Sequence, residues 1–136
     1  MHQISIKIRG YHLDMYGHVN HARYLEFLEE ARWSFIEQAM PITEFEKKGF
    51  AFVVVNININ YRQPALLDYI LEIRTEMVKL GSKSAKIHQE IFRAGSDQRI
   101  ADADITFVAI DSSTNQVLLL EGELRTVLES YMVKSI

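Results

Sequence analysis

The stretch "YHLDMYGHVNHARYLEFLEEARW", residues 11–33, decides the fold because it joins a polar loop to the longest amphipathic segment of the chain. Its first half holds one carboxylate, Asp14, and three of the five histidines, His12, His18 and His21. Apolar residues then recur at helical spacing, at Tyr24, Phe27, Leu28, Ala31, Phe35 and Ala39. We predict a long helix that is too apolar to lie on a surface and that other structure encloses.

Local signals set the expected limits of this helix. Asn20 is the predicted N-cap, with His21 and Ala22 as the first helical residues, and Pro41 marks the predicted end. A helix start leaves backbone N–H groups unpaired and carries a partial positive charge, so it favours a negative oxygen. The first turn holds no acidic residue, which leaves this helix start open to an anion from outside.

Strands are expected on both sides of the helix. Ile4, Ile6 and Ile8 alternate with polar residues and predict a half-buried strand. After a short polar segment, residues 43–49, turn-like sequences separate four further strand-like stretches, residues 50–61, 65–80, 84–95 and 98–111. Helical spacing returns in residues 121–132. Short connections favour antiparallel neighbours, and one long helix against five strands predicts an α+β architecture.

Composition limits the class of protein. The 136 residues fit a single domain spanning 1–136, and a net charge of −3 gives no basic field for nucleic acid. The chain has no cysteine, which excludes disulfides and thiolate chemistry and suits a reducing compartment. The sequence also lacks a signal-like apolar block at its start and any apolar stretch of membrane-spanning length. We therefore expect a cytoplasmic protein that binds neither membrane nor nucleic acid.

The polar loop offers the most specific chemistry. The sequence has no G-x-S-x-G, H-E-x-x-H, G-x-G-x-x-G or P-loop motif. Asp14 lies about six residues before the helix, in a loop that Gly17 allows to turn sharply. A carboxylate facing unpaired helix-start amides is the minimum equipment for hydrolysing an activated ester. In the alternative interpretation, Asp14 forms an Asx-turn or stabilises the helix start, and Asn20 is only a cap. The histidine spacing matches no zinc pattern, so we expect no metal.

Four quoted segments resemble one known family. "D-M-Y-G-H-V-N-H-A-R-Y-L-E-F-L-E-E-A-R", from Asp14 onward, is similar to the catalytic loop and central helix of the hotdog-fold acyl thioesterases, the 4-hydroxybenzoyl-CoA thioesterase superfamily. "H-V-N" resembles the form found in plant acyl-carrier-protein thioesterases, and His21 matches a histidine of a bacterial branch. The resemblance to the long-chain acyl-CoA branch extends through "AFVVVNININYRQPA", "ITFVAID" and "LEGELR".

This resemblance implies a fold and an activity. The implied fold is an antiparallel sheet of about five strands wrapped around one long central helix, with a short C-terminal helix. The implied reaction is hydrolysis of acyl-CoA, or of acyl carrier protein thioesters, without a cofactor, in a homodimer or homotetramer with sites at subunit interfaces. Asp14 would be the general base or nucleophile, assisted by Asn20 and His21. The amides of His21 and Ala22 would hold the thioester oxygen, and the loop would be supported by Tyr11, Gly17 and His18.

The substrate's two ends suggest further candidates. CoA carries phosphates, which bind cations and hydroxyl or amide donors; the candidates are Arg62, Ser82, Lys83, Ser84 and Lys86. The acyl chain needs an apolar slot, and the candidates to line it are Phe27, Trp33, Phe35 and Phe50. For each of them, the alternative role is plain packing in the core. Two competing functions are a non-catalytic acyl-CoA-binding module and a hydratase or dehydratase on the same fold.

Overall fold

The computed structural model describes residues 2–132. Its strands are β1 (His2–Lys7), β2 (Phe50–Tyr61), β3 (Ile70–Leu80), β4 (Ala85–Arg93) and β5 (Arg99–Asp111). Its α-helices are α1 (His21–Ile36), α2 (Ile42–Lys47) and α3 (Gly122–Glu129), and a 3-10 turn covers Gly10–His12. The predicted domain limits at residues 1 and 136 lie outside the described residues.

The described strands form one antiparallel sheet in the order β1-β3-β4-β5-β2. This architecture confirms the predicted α+β class and the antiparallel pairing. Along β2 the predicted alternation holds, since Ile57 and Ile59 pack against the core while the intervening asparagines are exposed. A register shift between Val54 and Asn56 marks a bulge. Because β2 ends the strand order, one edge of it pairs with no other described strand.

Helix α1 lies against the inner face of the sheet and packs most extensively against β3 and β1. Its buried side chains, at helical spacing, are Tyr24, Phe27, Leu28, Ala31, Phe35 and Ile36. The first half packs in one core cluster with β3, β4 and β5, and the second half joins a cluster that includes α3. Burial on this one face holds the N-terminal end of α1 at a fixed place over the sheet.

The region after α1 differs from the prediction. Helix α1 ends at Ile36 and not at Pro41, because the following amides turn to nearer carbonyls, as in Gln38 N–H to Phe35 O at 3.3 Å. The segment expected to be a polar connection contains the short helix α2. Pro41 is its N-cap residue, and Phe45, 2% exposed, anchors the helix in the core. One buried aromatic in six residues is too weak a periodicity to detect in sequence.

Candidate active site

The Asp14 carboxylate is fixed by its own loop. One oxygen, Oδ1, accepts hydrogen bonds from the amides of Tyr16 at 2.8 Å and His18 at 3.3 Å. The Asp14 amide donates to the His18 carbonyl at 2.8 Å, and Gly17 turns the chain with φ of +76°. The bond to Tyr16, two residues on, is the Asx-turn foreseen as an alternative. It engages only Oδ1, and Oδ2 has no hydrogen-bond partner in residues 2–132, which leaves that oxygen available to a substrate or water.

This loop is tied to the sheet by backbone contacts. His18 forms an isolated antiparallel bridge with Leu66, and the Val19 amide donates to the Ala65 carbonyl at 3.0 Å. The Asn20 amide donates to the His12 carbonyl at 2.9 Å. His18 is exposed, and within the described residues its ring makes no hydrogen bond. The position of His18 therefore agrees with a supporting role that its backbone performs.

His12 supports the loop in a way that the sequence did not reveal. Its ring is 6% exposed, accepts the Arg9 amide at Nδ1 at 2.8 Å, and packs edge-on against Phe27 at 5.0 Å between ring centroids. Burial lowers the pKa of His12, and the positive charges of Arg23 and Arg9 lower it further while Glu26 opposes them. The neutral ring joins the chain before Asp14 to helix α1. The sequence does not show which histidine of a cluster is buried, so only the packing against Phe27 identifies His12 as a support of the loop.

At the start of α1, one of the two predicted oxyanion donors is already engaged. The Asn20 side-chain Oδ1 accepts the Ala22 amide at 2.9 Å, which confirms Asn20 as the N-cap. The Ala22 amide is therefore not free in this conformation. The His21 amide has no hydrogen-bond partner in the described chain, so it is the remaining donor for a negative oxygen.

Tyr61 is a site residue that the sequence prediction missed. Its hydroxyl donates to the His21 carbonyl at 3.2 Å, and its ring packs edge-on against the His21 ring at 4.6 Å between centroids. Tyr61 ends β2 on the face that points toward the helix, and this position is the signal that identifies it. The Tyr24 ring lies beside it at 5.5 Å. Burial raises the pKa of Tyr24, and the negative charge of Asp14 adds to that rise.

Exposed apolar side chains surround this site. Tyr11 is 70% exposed, and its carbonyl accepts from the Arg23 guanidinium at 3.4 Å, which fixes the chain before Asp14. Other exposed apolar residues near the loop are Met15, Tyr16, Leu66 and Leu67. An exposed apolar rim around a polar centre is typical of a surface that binds a ligand or another protein.

Four of the five predicted CoA-binding residues lie far from the Asp14 loop within one chain. Arg62 lies one residue beyond Tyr61 but forms an ion pair with Asp102, and this hydrogen bond holds the pKa of the Asp102 carboxyl below its usual value. Four of the candidates lie in or beside the β3–β4 turn, at the far end of β3 from the Leu66 bridge, namely Ser82, Lys83, Ser84 and Lys86. The 11 residues of β3 separate this turn from the end of the sheet that holds the Leu66 bridge and the Asp14 loop. That length is roughly 35 Å at strand spacing.

The four aromatic candidates for the acyl slot divide into two groups. Phe27 and Phe35 are buried in the core, as the packing alternative predicts. Trp33 and Phe50 line a cleft of about 310 Å³ between α1, α2 and the sheet. Within residues 2–132, no group of three or more histidine or acidic side chains is placed to hold a metal ion. No helix of this described part is long and apolar enough to cross a membrane.

Comparison with known proteins assigns the family. The family model of the thioesterase-like superfamily matches residues 8–128, which include the Asp14 loop, the helix and the whole sheet beyond β1. The chain belongs to the thioesterase-like superfamily. This assignment confirms the family resemblance found in the sequence.

Individual relatives of the superfamily extend the match over nearly the whole chain. The long-chain acyl-CoA thioesterase FadM of Escherichia coli is 54% identical over 132 residues, 97% of this chain and 99% of the relative. The acyl-CoA thioester hydrolase YbgC of Escherichia coli O6:H1 is 33% identical over 104 residues, 72% of this chain and 73% of its own. The crystal structure of YbaW, a probable thioesterase from Escherichia coli, has a TM-score of 0.90 at 51% identity and covers 98% of this chain and 100% of its own. The fold is the hotdog fold of these enzymes.

Proposed function

We propose that this protein hydrolyses long-chain fatty acyl-CoA thioesters to the free fatty acid and CoA. The observation that carries the proposal is the 54% identity, over nearly both whole chains, with the long-chain acyl-CoA thioesterase FadM. The Asp14 loop offers the chemistry that the reaction needs, because it carries an unpaired carboxylate oxygen and leads into a helix whose first amide is open. The proposal includes a single domain over residues 1–136 and a cytoplasmic location, which the cysteine-free sequence suits.

Asp14 is the centre of the proposed mechanism. In the general-base route, Oδ2 takes a proton from water, and the water oxygen attacks the thioester carbon. The His21 amide and the partial positive charge of the helix start stabilise the oxyanion that forms. The tetrahedral intermediate collapses as the C–S bond breaks, and the CoA thiolate recovers the proton from Asp14. Asn20 acts by keeping the helix start in place through its cap on Ala22.

The nucleophilic route uses the same oxygen in two steps. Asp14 attacks the thioester carbon, CoA leaves as the thiolate, and water hydrolyses the resulting anhydride. The two routes differ in the fate of the water oxygen, since attack of water on the Asp14 carbon of an anhydride leaves a solvent oxygen in the carboxyl group. In single-turnover hydrolysis in ¹⁸O-water, label in the peptide that contains Asp14 therefore identifies the nucleophilic route with attack at the Asp14 carbon, whereas attack at the acyl carbon places the label in the fatty acid, as in the general-base route.

The proposed active form is a homodimer or larger homo-oligomer paired along β2. The unpaired edge of β2 carries three exposed valines, Val53, Val54 and Val55, and such an edge favours pairing with another strand. Antiparallel pairing of two β2 strands would reverse the partner sheet, so that the partner's β3–β4 turn lies at the same end as Asp14. Lys83 and its neighbours would then reach the CoA phosphates of a substrate bound at the other subunit, which accounts for their distance from Asp14 within one chain.

Thiol release from an acyl-CoA series, short to long, tests this function. Wild type should release CoA fastest from long chains, and Asp14→Asn should lower kcat by about 10² to 10⁴, the scale of losing a positioned acid–base group. The variant should fold normally, because the asparagine Oδ1 can still accept the amides of Tyr16 and His18. Asp68→Asn is the matched control, since Asp68 is exposed at a positive φ of 66° that asparagine also adopts.

Each outcome of this assay has a distinct meaning. Hydrolysis that survives in Asp14→Asn would move the chemistry away from this loop. Acyl-CoA that binds without turnover in wild type would identify a binding module, and hydration of an enoyl-CoA would identify a hydratase. The same series presented on acyl carrier protein shows which carrier the enzyme prefers.

A further inference from the structure

The cleft beside α1 has an apolar wall that includes one positively charged side chain. Its volume is about 310 Å³, and it opens between the second half of α1, helix α2 and β2. The apolar wall includes Trp33, Ile36, Phe45, Phe50, Phe52 and Phe107. Three charged side chains also line it, Glu29, Arg32 and Glu46. A slot for a plain alkyl chain needs no charge, so the position of Arg32 calls for a physical reason.

Arg32 is held in this wall by a buried amide. Its Nη1 donates to Gln89 Oε1 at 3.1 Å. Gln89 is fully buried, and its Nε2 donates to the Leu28 carbonyl and to Thr75 Oγ1, each at 3.0 Å. The network fixes one edge of the guanidinium against the sheet, so the direction of its other N–H groups is set in advance of any ligand.

The remaining donors of Arg32 are unused and accessible. Arg32 forms no ion pair with a carboxylate in residues 2–132, and its one side-chain hydrogen bond is the one to Gln89. Every fully buried side-chain nitrogen or oxygen in those residues has a partner. The unpaired Arg32 nitrogens are therefore not fully buried and can meet a molecule in the cleft. Burial lowers the pKa of Arg32, and the charge of Glu29 opposes that effect, so the cation is partly stripped of water and gains from a further acceptor.

We infer that the cleft binds an acyl tail bearing a hydroxyl group, with Arg32 donating a hydrogen bond to that hydroxyl and Glu29 accepting one from it. This inference rests on the proposed hydrolysis of acyl-CoA. A carboxylate tail fits less well, because Glu29 and Glu46 outnumber the one cation of the cleft and would repel it. A hydroxyl both accepts and donates, so it matches a guanidinium and a carboxylate on the same wall.

The position of Arg32 along the helix sets the distance of this hydroxyl from the thioester. Arg32 lies 11 residues beyond His21, by 32 − 21, which corresponds to ~16 Å along a helix axis. An extended alkyl chain advances about 1.3 Å per bond, so that distance corresponds to roughly 12 carbons. A hydroxyl at the far end of a dodecanoyl or tetradecanoyl chain is therefore the group that Arg32 would contact.

The test compares dodecanoyl-CoA with its ω-hydroxy and ω-carboxy derivatives. Wild type should show a kcat/KM for the ω-hydroxy substrate that is at least equal to that for dodecanoyl-CoA and about 10-fold or more above that for the ω-carboxy substrate. Arg32→Met should lower the ratio of kcat/KM for the ω-hydroxy substrate to kcat/KM for dodecanoyl-CoA about 10- to 100-fold, the scale of a hydrogen bond to a charged group. Arg32→Lys, which keeps a donor and a charge, should restore part of the preference.

Several outcomes would overturn this inference while leaving the hydrolase intact. One is an equal loss on all three substrates in Arg32→Met, and another is a wild-type preference for the ω-carboxy tail. If Arg32→Met does not fold, two measurements on wild type decide. The first is the set of kcat/KM ratios among the three substrates, and the second is kcat/KM along a series in which the hydroxyl is moved toward the thioester. If no acyl-CoA is hydrolysed, the proposed function fails, and calorimetric binding of the three free acids then decides whether the cleft prefers the ω-hydroxy tail.

Discussion

Asn20 and Ala22 are joined at the start of α1 by a hydrogen bond of 2.9 Å from the Ala22 amide to the Asn20 side-chain oxygen. The bond gives the loop and the helix a common boundary, since the Asn20 amide is itself bound to the His12 carbonyl at 2.9 Å. One of the two amides predicted to hold the thioester oxygen is thus satisfied by the protein. In the proposed mechanism, electrostatic stabilisation of the oxyanion consequently depends on the His21 amide and on the charge of the helix end.

Two replacements of Asn20 test its capping role and the proposed oxyanion site beside it separately. Asn20→Ala should lower the free energy of unfolding by about 0.5–2 kcal/mol, because the Ala22 amide loses its acceptor. Asn20→Asp keeps an acceptor of the same size, so its stability should stay within about 0.5 kcal/mol of wild type. Its added negative charge lies one residue from the His21 amide and should oppose the oxyanion, lowering kcat by about 10-fold or more. Urea unfolding and thiol release measure the two effects, and full activity in Asn20→Asp would contradict this assignment of the oxyanion site.

The buried ring of His12 predicts a loss of stability in mild acid. Burial lowers the pKa of His12 in the folded state below 6.5, the ordinary value that applies in the unfolded chain. The unfolded state therefore binds the proton first as the pH falls, and stability decreases from about pH 6.5 down to the folded-state pKa. His2, whose pKa burial and the N-terminal charge also lower, contributes with the same sign. Urea unfolding from pH 8 to pH 5 should show this decline.

His12→Asn isolates the contribution of this one ring. The asparagine retains an acceptor for the Arg9 amide but does not titrate, so its stability should fall less steeply with pH than that of wild type, at the cost of packing against Phe27. His18→Asn is the control, because it removes an exposed imidazole from the same loop without removing a side-chain hydrogen bond among the described residues. An unchanged slope in His12→Asn would show that other groups cause the decline.

Local rules predicted the parts of this fold that short sequence patterns determine. The cap at Asn20, the helical face beginning at Tyr24 and the alternation in β2 each depend on neighbours a few residues apart, and all three agree with the structure. The predicted helix end at Pro41 and the predicted polar connection at residues 43–49 were wrong, because the turn after α1 and the burial of Phe45 in α2 depend on contacts with other elements. Family resemblance and not spacing supplied the hotdog arrangement.

Sequence patterns likewise predicted only part of the candidate site. Asp14, Gly17 and Asn20 are adjacent in sequence, so their loop was visible as a cluster. Tyr61 reaches His21 from a strand 40 residues away, and Arg32 meets Gln89 across 57 residues. Pairs so distant in sequence are brought together only by the sheet register, which no local pattern records.

The exposed edge of β2 predicts that activity depends on assembly. Val53 and Val55 are 39% and 56% exposed on the last strand of the sheet, where unpaired backbone groups favour another strand. Val55→Lys should place a charge in a self-paired interface twice, once from each copy, and should shift the protein to a monomer with kcat/KM lowered about 10-fold or more. Val78→Lys is the control, because Val78 is similarly exposed at 42% but lies on β3, inside the strand order. Sedimentation equilibrium and thiol release at matched concentrations measure both effects, and a fully active wild-type monomer would exclude an interface site.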